Sequence, residues 1–366
     1  MREKIATTKT EEEQIMLTRR RLLQAGAGLA ALSATGRASF AQSGRPLTFA
    51  SWGGALSELE KTALLDPFAA KAGISITHAS PTNYAKIKAM VTGGQLEWDL
   101  VDVGGRFIFQ GRDQGLLEPI DYSLIPNAKN LDPSWVTPFG VYTTTGATVI
   151  AWNTKAFPAG KGPTSWKDFW NVKDFPGARG LYKPFYYNYE AALLAAGLKF
   201  SEIYPVTDEK AKQAMDMIVQ LKPHVKVWWT AGAQPPQLLA SGELAMSSAW
   251  NGRILAGEKE GAPIAMTYSD GLAWGNAWVV IKGTPHREQV MKAIDYAISE
   301  EAQTRLLPSG TYGPVLAAAA AKGTPEQQRL MVTSPQNVKN MLVLNEEQAA
   351  GYSAKYEDAW NKMQLG

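Results

Sequence analysis

Along the chain, short runs rich in apolar and β-branched residues alternate with longer stretches in which apolar residues recur every three or four positions. The first pattern is that of strands and the second that of helices buried on one face. Residues 46–51 (PLTFAS) predict a first strand, ending in Trp52-Gly53-Gly54. Apolar residues at 59, 63, 64 and 68 predict a helix over 56–72, with Pro67 weakening its last turn and Gly73 as its stop. Ile74 and Ile76 alternate as a second strand, and 84–92 reads as a helix with Ile87 and Val91 on one face. A strand over 99–103 (DLVDV) runs into Gly104-Gly105, and a helical pattern covers 107–117. Further strands are predicted at 147–153 (ATVIAWN), 225–229, 244–250 and 276–282 (NAWVVIK). Helices are predicted from Trp166 behind a Thr164-Ser165 cap, over 209–220, 287–307 and 346–363, and as a segment in the alanine run 317–321. Strands alternating with helices argue for an α/β architecture.

Residues 1–41 have a different character. Thr18-Arg19-Arg20-Arg21-Leu22-Leu23 precedes a stretch, 22–34, that is apolar or small except for Gln24 and Ser33, and Ser39-Phe40-Ala41 follows with small residues where a signal peptidase reads. The apolar stretch is shorter than the roughly 20 residues a spanning helix needs. The segment predicts an export signal cleaved near Ala41 and a periplasmic mature protein; its Thr-Arg-Arg-x-Leu-Leu pattern resembles the twin-arginine signals that carry folded cargo. Charge points the same way. Seven of the 37 basic and four of the 34 acidic residues lie in 1–41, so the formal +3 belongs to the signal and the remainder is neutral. A neutral chain gives no electrostatic case for binding nucleic acid. Cysteine is absent, which removes thiol nucleophiles and thiolate metal sites.

Three strand ends meet helix starts at small residues: Trp52-Gly53-Gly54, Gly104-Gly105-Arg106 and Trp250-Asn251-Gly252. In open α/β sheets ligands gather outside the carboxyl ends of strands, so the three junctions predict a binding cleft. All 12 tryptophans follow residue 41. Trp278, inside a strand, reads as core, whereas Trp52, Trp250 and Trp274 lie near strand ends.

Four stretches, in order, resemble the bacterial solute-binding family that includes the spermidine/putrescine-binding proteins: Phe49-Ala-Ser-Trp52-Gly-Gly54 through Gly73-Ile-Ser-Ile76; Tyr84-Ala-Lys-Ile-Lys88 to Trp98-Asp-Leu-Val101; Thr164-Ser-Trp166-Lys-Asp168-Phe-Trp170 to Gly180; and Gly242-Glu-Leu-Ala245 through Trp250-Asn251-Gly252 to Trp274. The resemblance implies an α/β periplasmic-binding-protein fold of type II, with two α/β lobes around a ligand cleft. Chain crossovers would fall near 143–150 and 270–277. Lobe 1 would comprise 42–146 plus 275–312 and lobe 2 147–274, with helices of 313–366 packing across both. The implied function is a non-enzymatic, monomeric binding component that closes on a small solute and presents it to an ABC-type permease, without cofactor or metal. The positions that match the family's site are Trp52, Gly53, Gly104, Arg106, Tyr187, Trp250, Arg253, Trp274, Asn276 and Tyr312.

The chain departs from the polyamine pattern where charge matters. The family's acidic position after Trp274 is Asn276 here, and 183–188 (KPFYYN) lacks the acids that polyamine binders supply. Arg106 and Arg253 instead favour a carboxylate or phosphate, which a guanidinium grips with two parallel hydrogen bonds. The expected ligand is therefore an organic nitrogen compound that also bears an acidic group, such as an amino-acid derivative or opine-like conjugate, with Glu190, Asp270 and Asp102 as ammonium partners. A true polyamine binder is the alternative. Two further alternatives are a ferric-ion binder using Tyr186-Tyr187 and a hydrolase, although His78, His224 and His286 show no metal-ligand spacing and no nucleophile motif is present.

Overall fold

The computed structural model describes residues 45–310 and 312–365, so the export signal read in 1–41 lies outside the described residues. The framework is one mixed sheet. Its strands are β1 (Leu47–Ala50), β2 (Ile76–Ala79), β3 (Leu100–Gly104), β4 (Val136–Thr137), β5 (Gly140–Asn153), β6 (Arg179–Tyr182), β7 (Val225–Trp229), β8 (Met246–Trp250), β9 (Ile264–Val280), β10 (Gly313–Pro314) and β11 (Leu342–Val343). The main path runs β2-β1-β3-β9-β5-β8-β6-β7, with β4 and β10 pairing with β5 and β11 with β9. β5 and β9 pair antiparallel at its centre, and on either side lie strands that are parallel among themselves: β1, β2 and β3 on one flank, β6, β7 and β8 on the other.

Burial divides along this central pair. One core contains Phe49, Leu64, Leu100, Tyr142, Ala277, Trp278 and Ile294. A second contains Ile150, Trp166, Phe169, Leu181, Tyr189, Trp274 and Trp360. On β5 the change of core falls between Tyr142 and Ile150, and on β9 between Trp274 and Ala277. Two register irregularities in the β5–β9 ladder, at Tyr142/Thr144 and Thr148/Ile150, bracket the same stretch. The helix Glu346–Leu365 buries Ala349, Tyr352 and Trp360 on the second core, while its Glu347 pairs at 3.0 Å with Arg112 of the helix Gly105–Asp113.

The elements differ from expectation where polar residues hide in strands or burial is complete. Residues 147–153 are only the second half of β5, and 276–282 only the end of the seventeen-residue β9. The threonines at 143, 144 and 145 break the apolar pattern, yet a β-branched side chain suits a strand and all three are buried. The helix Asn188–Ala195 escapes a reading by period because every one of its residues is buried, leaving no polar face to set one. The expected helix over 287–307 breaks after Arg287–Ala297 and restarts at Glu300–Thr304, where Ser299 accepts a hydrogen bond from the Ala302 N–H. The helix after β1 continues through Pro67 instead of weakening there. A π-helical segment, Lys61–Leu65, widens the turn before Pro67, which then lies in the first turn of the helix Asp66–Ala72, where its missing N–H breaks no bond. Gly73 ends that helix in the left-handed region, as expected.

Gly105 is a glycine for want of space. A Cβ there would stand 2.3 Å from Tyr142 Oη and 2.8 Å from Glu346 Cγ. Gly105→Ala is expected to lower the unfolding free energy by about 1–3 kcal/mol through overpacking, read as a lower urea midpoint at unchanged slope.

Candidate functional site

The three glycine junctions form walls of one region. After β1 the chain turns through Gly53 and Gly54, both with positive φ (82° and 64°), which glycine adopts without strain. The turn leaves Trp52 37% exposed, edge-on to Tyr84 at 5.8 Å between ring centres. Tyr84 stacks on Phe107 at 4.0 Å, and its hydroxyl accepts a hydrogen bond from the Gly104 N–H at 3.2 Å. The predicted residues Trp52, Gly53 and Gly104 thus share one wall. Asn276 pairs with Gly104 in the β3–β9 register and with Thr144 across β5, which places it at the centre of the sheet beside this wall.

The facing wall begins where β8 ends. Asn251 is fixed by accepting from the Ala147 N–H (3.0 Å) and donating to Tyr268 Oη (3.2 Å), and it opens the helix Asn251–Lys259. That helix sends Arg253 across to the first junction. Its two terminal nitrogens lie 3.4 and 3.5 Å from the point where a Cβ on Gly54 would stand, so any larger residue at 54 would crowd the guanidinium. Arg253 Nε is buried without a hydrogen-bond partner.

Beneath the first junction lie two buried carboxylates. Asp102, on β3, is 0% exposed, and neither of its oxygens has a donor in hydrogen-bonding geometry. Burial first, then the neighbouring Glu60 charge, pushes its carboxyl well above the usual range, with Trp52 pulling the other way. Glu60, on the helix Gly54–Glu60, accepts hydrogen bonds from Ser51 Oγ and, at 2.9 Å, from Trp278 Nε1. Burial raises its carboxyl to about 7 despite those two donors. Tyr312 is buried, and its phenol feels the charges of Arg253, Glu60 and Asp102. Glu60 is a site residue that the sequence reading does not single out, although a signal is there. It sits four residues from both Leu56 and Leu64, on the helix stripe that packs inward, where a carboxylate needs a reason.

An aromatic cluster continues from Trp250. Trp229, Tyr182 and Trp274 stand 5.4, 6.0 and 6.4 Å from it, and Tyr182 is 5.7 Å from Tyr187. Trp250 packs so closely on Gly232 that a Cβ there would stand 2.3 Å from its ring, and its indole N–H has no acceptor. Trp274 donates to Thr148 Oγ1 at 3.2 Å. Trp250, Trp274 and Tyr187 are thus brought together, with Tyr182 and Trp229 as members that the sequence reading does not single out.

Arg106 stands in a different neighbourhood from Arg253. Its guanidinium lies 4.4 Å over the Tyr186 ring and faces Tyr84, Tyr182 and Glu346. It borders a cavity of about 360 Å³ that also meets Lys183, Phe185, Glu357 and Trp360. Burial lifts the Glu346 carboxyl to about 8, with the Arg106 charge opposing.

Two of the three acids expected as ammonium partners are already engaged. Glu190 accepts from the Tyr187 N–H (3.1 Å), Tyr204 Oη (2.9 Å) and Tyr352 Oη (2.8 Å). Asp270 accepts from the Trp166 N–H at 3.2 Å. Asp102 alone of the three has both oxygens without a hydrogen bond. Tyr187 is buried and Tyr186 half-buried, and desolvation pushes both phenols well up, which works against the phenolate that ferric iron takes. Among the described residues no group of three His, Cys, Asp or Glu is arranged to hold a metal ion.

Comparison with known proteins gives one answer. Residues 63–333 match the model of the family described as bacterial extracellular solute-binding protein. The chain is 35% identical over 318 residues to the gamma-aminobutyric acid-binding protein of Pseudomonas aeruginosa, covering 86% of this chain and 90% of that one. It is 25% identical over 362 residues to the spermidine/putrescine-binding periplasmic protein of Escherichia coli, covering 95% and 98%. Among solved structures, the binding protein MotA of A. tumefaciens B6, in complex with glucopine, superposes with a TM-score of 0.81 at 32% identity, over 87% of this chain and 100% of that one. The mixed sheet with its flanking helices is the periplasmic-binding-protein fold, and the chain belongs to the family of bacterial extracellular solute-binding proteins.

Proposed function

We propose that the chain, as the solute-binding component of an ABC importer, captures a small zwitterion whose ammonium group faces Asp102 and whose carboxylate meets Arg253. One observation carries this reading: a buried carboxylate, Asp102, and a buried guanidinium nitrogen, Arg253 Nε, both lack a partner in hydrogen-bonding geometry, and the guanidinium reaches Gly54 at the same junction whose Trp52 acts on Asp102. A site with both signs of charge suits an ω-amino acid or an opine-type conjugate; the P. aeruginosa relative is named for gamma-aminobutyric acid, and the A. tumefaciens one is in complex with glucopine. A bare diamine would pair with Asp102 but would bring its second ammonium against Arg253 at low local dielectric, where like charges repel strongly. Trp52, Trp250, Trp274 and Tyr187 supply apolar faces for the methylene chain between the two charged ends, with Gly53, Gly104 and Asn276 shaping the wall behind. Arg106, over the Tyr186 ring and acting on Tyr84 and Tyr182, bears on both the Trp52 wall and the aromatic cluster.

The proposed working protein starts after Ala41, in the periplasm, as a monomer without catalytic turnover. Its lobes are 42–146 with 275–312 and 147–274, the segment 313–366 lying across both, and the change of core along β5 and β9 supports that division. Ligand contacts made by Arg253 from one lobe and Asp102 from the other favour the closed arrangement, since a ligand shifts such a balance by its preferential contacts with one state.

The test is a comparison of 4-aminobutyrate, putrescine and butyrate by thermal unfolding and tryptophan fluorescence. At a hundredfold excess over Kd, 4-aminobutyrate is expected to add about 2.7 kcal/mol, roughly 5 °C in Tm, and to shift the emission. Butyrate and putrescine, each with one end mismatched, are expected to give less than half that shift. Stabilisation by putrescine alone would overturn the reading.

A further inference from the structure

The acid pair beneath Trp52 does more than offer a charge. Asp102 and Glu60, on β3 and on the helix that follows β1, meet around Trp278: Asp102 stands opposite Trp278 in the β3–β9 register, the Trp278 indole donates to Glu60 at 2.9 Å, and the Glu60 charge adds to burial in raising the Asp102 carboxyl. Their surroundings are unequal. Glu60 receives the Trp278 indole N–H and the Ser51 hydroxyl, two donors that favour its carboxylate. Asp102 has no donor in full hydrogen-bonding geometry, and the Trp52 side chain is the one group that favours its ionised form, against burial and the Glu60 charge. Its backbone carbonyl, not its side chain, takes the Thr82 hydroxyl. The other charged or titratable groups bearing on the pair are Tyr312, which also feels Arg253, and Tyr84, whose phenol is pushed far up by burial and also feels Arg106. No cation stands against either carboxylate in these contacts. Two adjacent carboxylates out of water cannot both be ionised at neutral pH without a counter-charge, because each raises the cost of the other's proton loss.

We propose that Asp102 and Glu60 hold one proton between them in the empty protein, and that an incoming ammonium group displaces it, so that capture of an amine releases a proton. This rests on the zwitterion reading above and adds the linkage to it. The balance is simple. The pair carries one negative charge when empty; the ligand's ammonium adds one positive charge and the departing proton removes one. The buried charge is the same before and after, and the ammonium takes the place of the proton at Asp102 while Glu60 keeps its two donors.

The sign of the pH dependence follows. A step that releases a proton is favoured as pH rises, by up to tenfold in affinity per pH unit for one proton, while the empty pair still holds it. The proton displaced is the one at Asp102, whose carboxyl is held well above the usual range by burial and then by the Glu60 charge, so the rise is expected to continue through neutral pH and to level off only where the empty pair loses that proton. The amine itself stays protonated throughout, since such groups titrate near 10.

Isothermal titration of the wild-type protein with 4-aminobutyrate, in two buffers of different ionisation enthalpy at about pH 6.5, counts the protons directly. Between one-half and one proton released per ligand is expected, with affinity rising at least about fivefold from pH 5.5 to 7.0. Binding of 4-aminobutyrate with no proton release and a flat pH profile would overturn the linkage while leaving the zwitterion reading intact. Failure of 4-aminobutyrate and other ω-amino acids to bind at any pH would overturn both. Glu60→Gln, which keeps an acceptor for Trp278, is expected to retain binding but shift the rise in affinity to lower pH, because Asp102 then ionises without a charged neighbour although still buried. Retention of the wild-type profile in that variant would overturn the role given to Glu60. Asp102→Asn is expected to abolish proton release along with most of the affinity.

Discussion

Replacing Arg253 by alanine is expected to weaken binding of an ω-amino acid by about 3 kcal/mol, roughly 150-fold, with little change in stability. The magnitude comes from removing one partner of a charge-assisted pair in a site screened from water, which leaves the ligand carboxylate buried without its donor. The small stability cost comes from the local structure. Arg253 Nε has no protein acceptor, and the guanidinium lies against Gly54 without a carboxylate partner among the ion pairs of the described residues. Arg253→Lys is expected to recover the charge but not the two-pronged geometry, and so to fall between the wild type and alanine. Titration calorimetry with 4-aminobutyrate decides the matter, and a loss under about threefold for Arg253→Ala would remove this residue from the site.

Glu190→Ala is expected to have the largest effect on stability, about 3–5 kcal/mol. The carboxylate collects the Tyr187 N–H and the hydroxyls of Tyr204 and Tyr352, so its loss strands three donors in the interior and opens a cavity among them. Glu190→Gln keeps one acceptor oxygen and is expected to lose about half as much. The measurement is the urea midpoint, converted with the transition slope. A change under about 1 kcal/mol for alanine would mean that the network relaxes onto water. The consequence for binding is indirect. Tyr187 has a positive φ of 73°, unusual for a residue with a side chain, and Glu190 bonds its backbone N–H. The same carboxylate therefore holds in place the tyrosine that leads, through Tyr182, to Trp250.

Much of the frame is legible in the sequence because glycine and tryptophan punctuate it. Trp52-Gly53-Gly54 and Trp250-Asn251-Gly252 mark real strand ends, and the backbone at Gly53 and Gly54 demands the residue found there. Other glycines mislead. Gly105, at the second junction, is explained by Tyr142 and Glu346 packing onto it, with no ligand needed. The two longest strands read as fragments because threonines interrupt β5 and polar and glycine positions interrupt β9. The partners of Arg106 and Arg253 leave no trace in the local pattern. Both arginines follow a strand end in the same kind of sequence, yet one lies over Tyr186 and the other reaches Gly54. Which acids are occupied is equally hidden, since Glu190 and Asp270 are satisfied by residues distant in sequence or by backbone. Long-range pairing, not local pattern, sorts them.

The threonines that obscure β5 give its central stretch a particular temperament. Thr143, Thr144, Thr145 and Thr148 are all fully buried where β5 passes from one core to the other, and the hydroxyls of Thr143 and Thr144 have no partner. Each threonine offers a methyl group suited to a dry environment and a hydroxyl suited to a wet one. A valine-lined joint would resist wetting, and a serine-lined joint would not pack when dry. Threonine tolerates both, so solvent entering as the two lobes part would satisfy the stranded hydroxyls and offset part of the free energy given up when the apolar faces separate. In the lobe division proposed above, such a joint would give up little on wetting, which suits a protein that must release its cargo as readily as it seizes it.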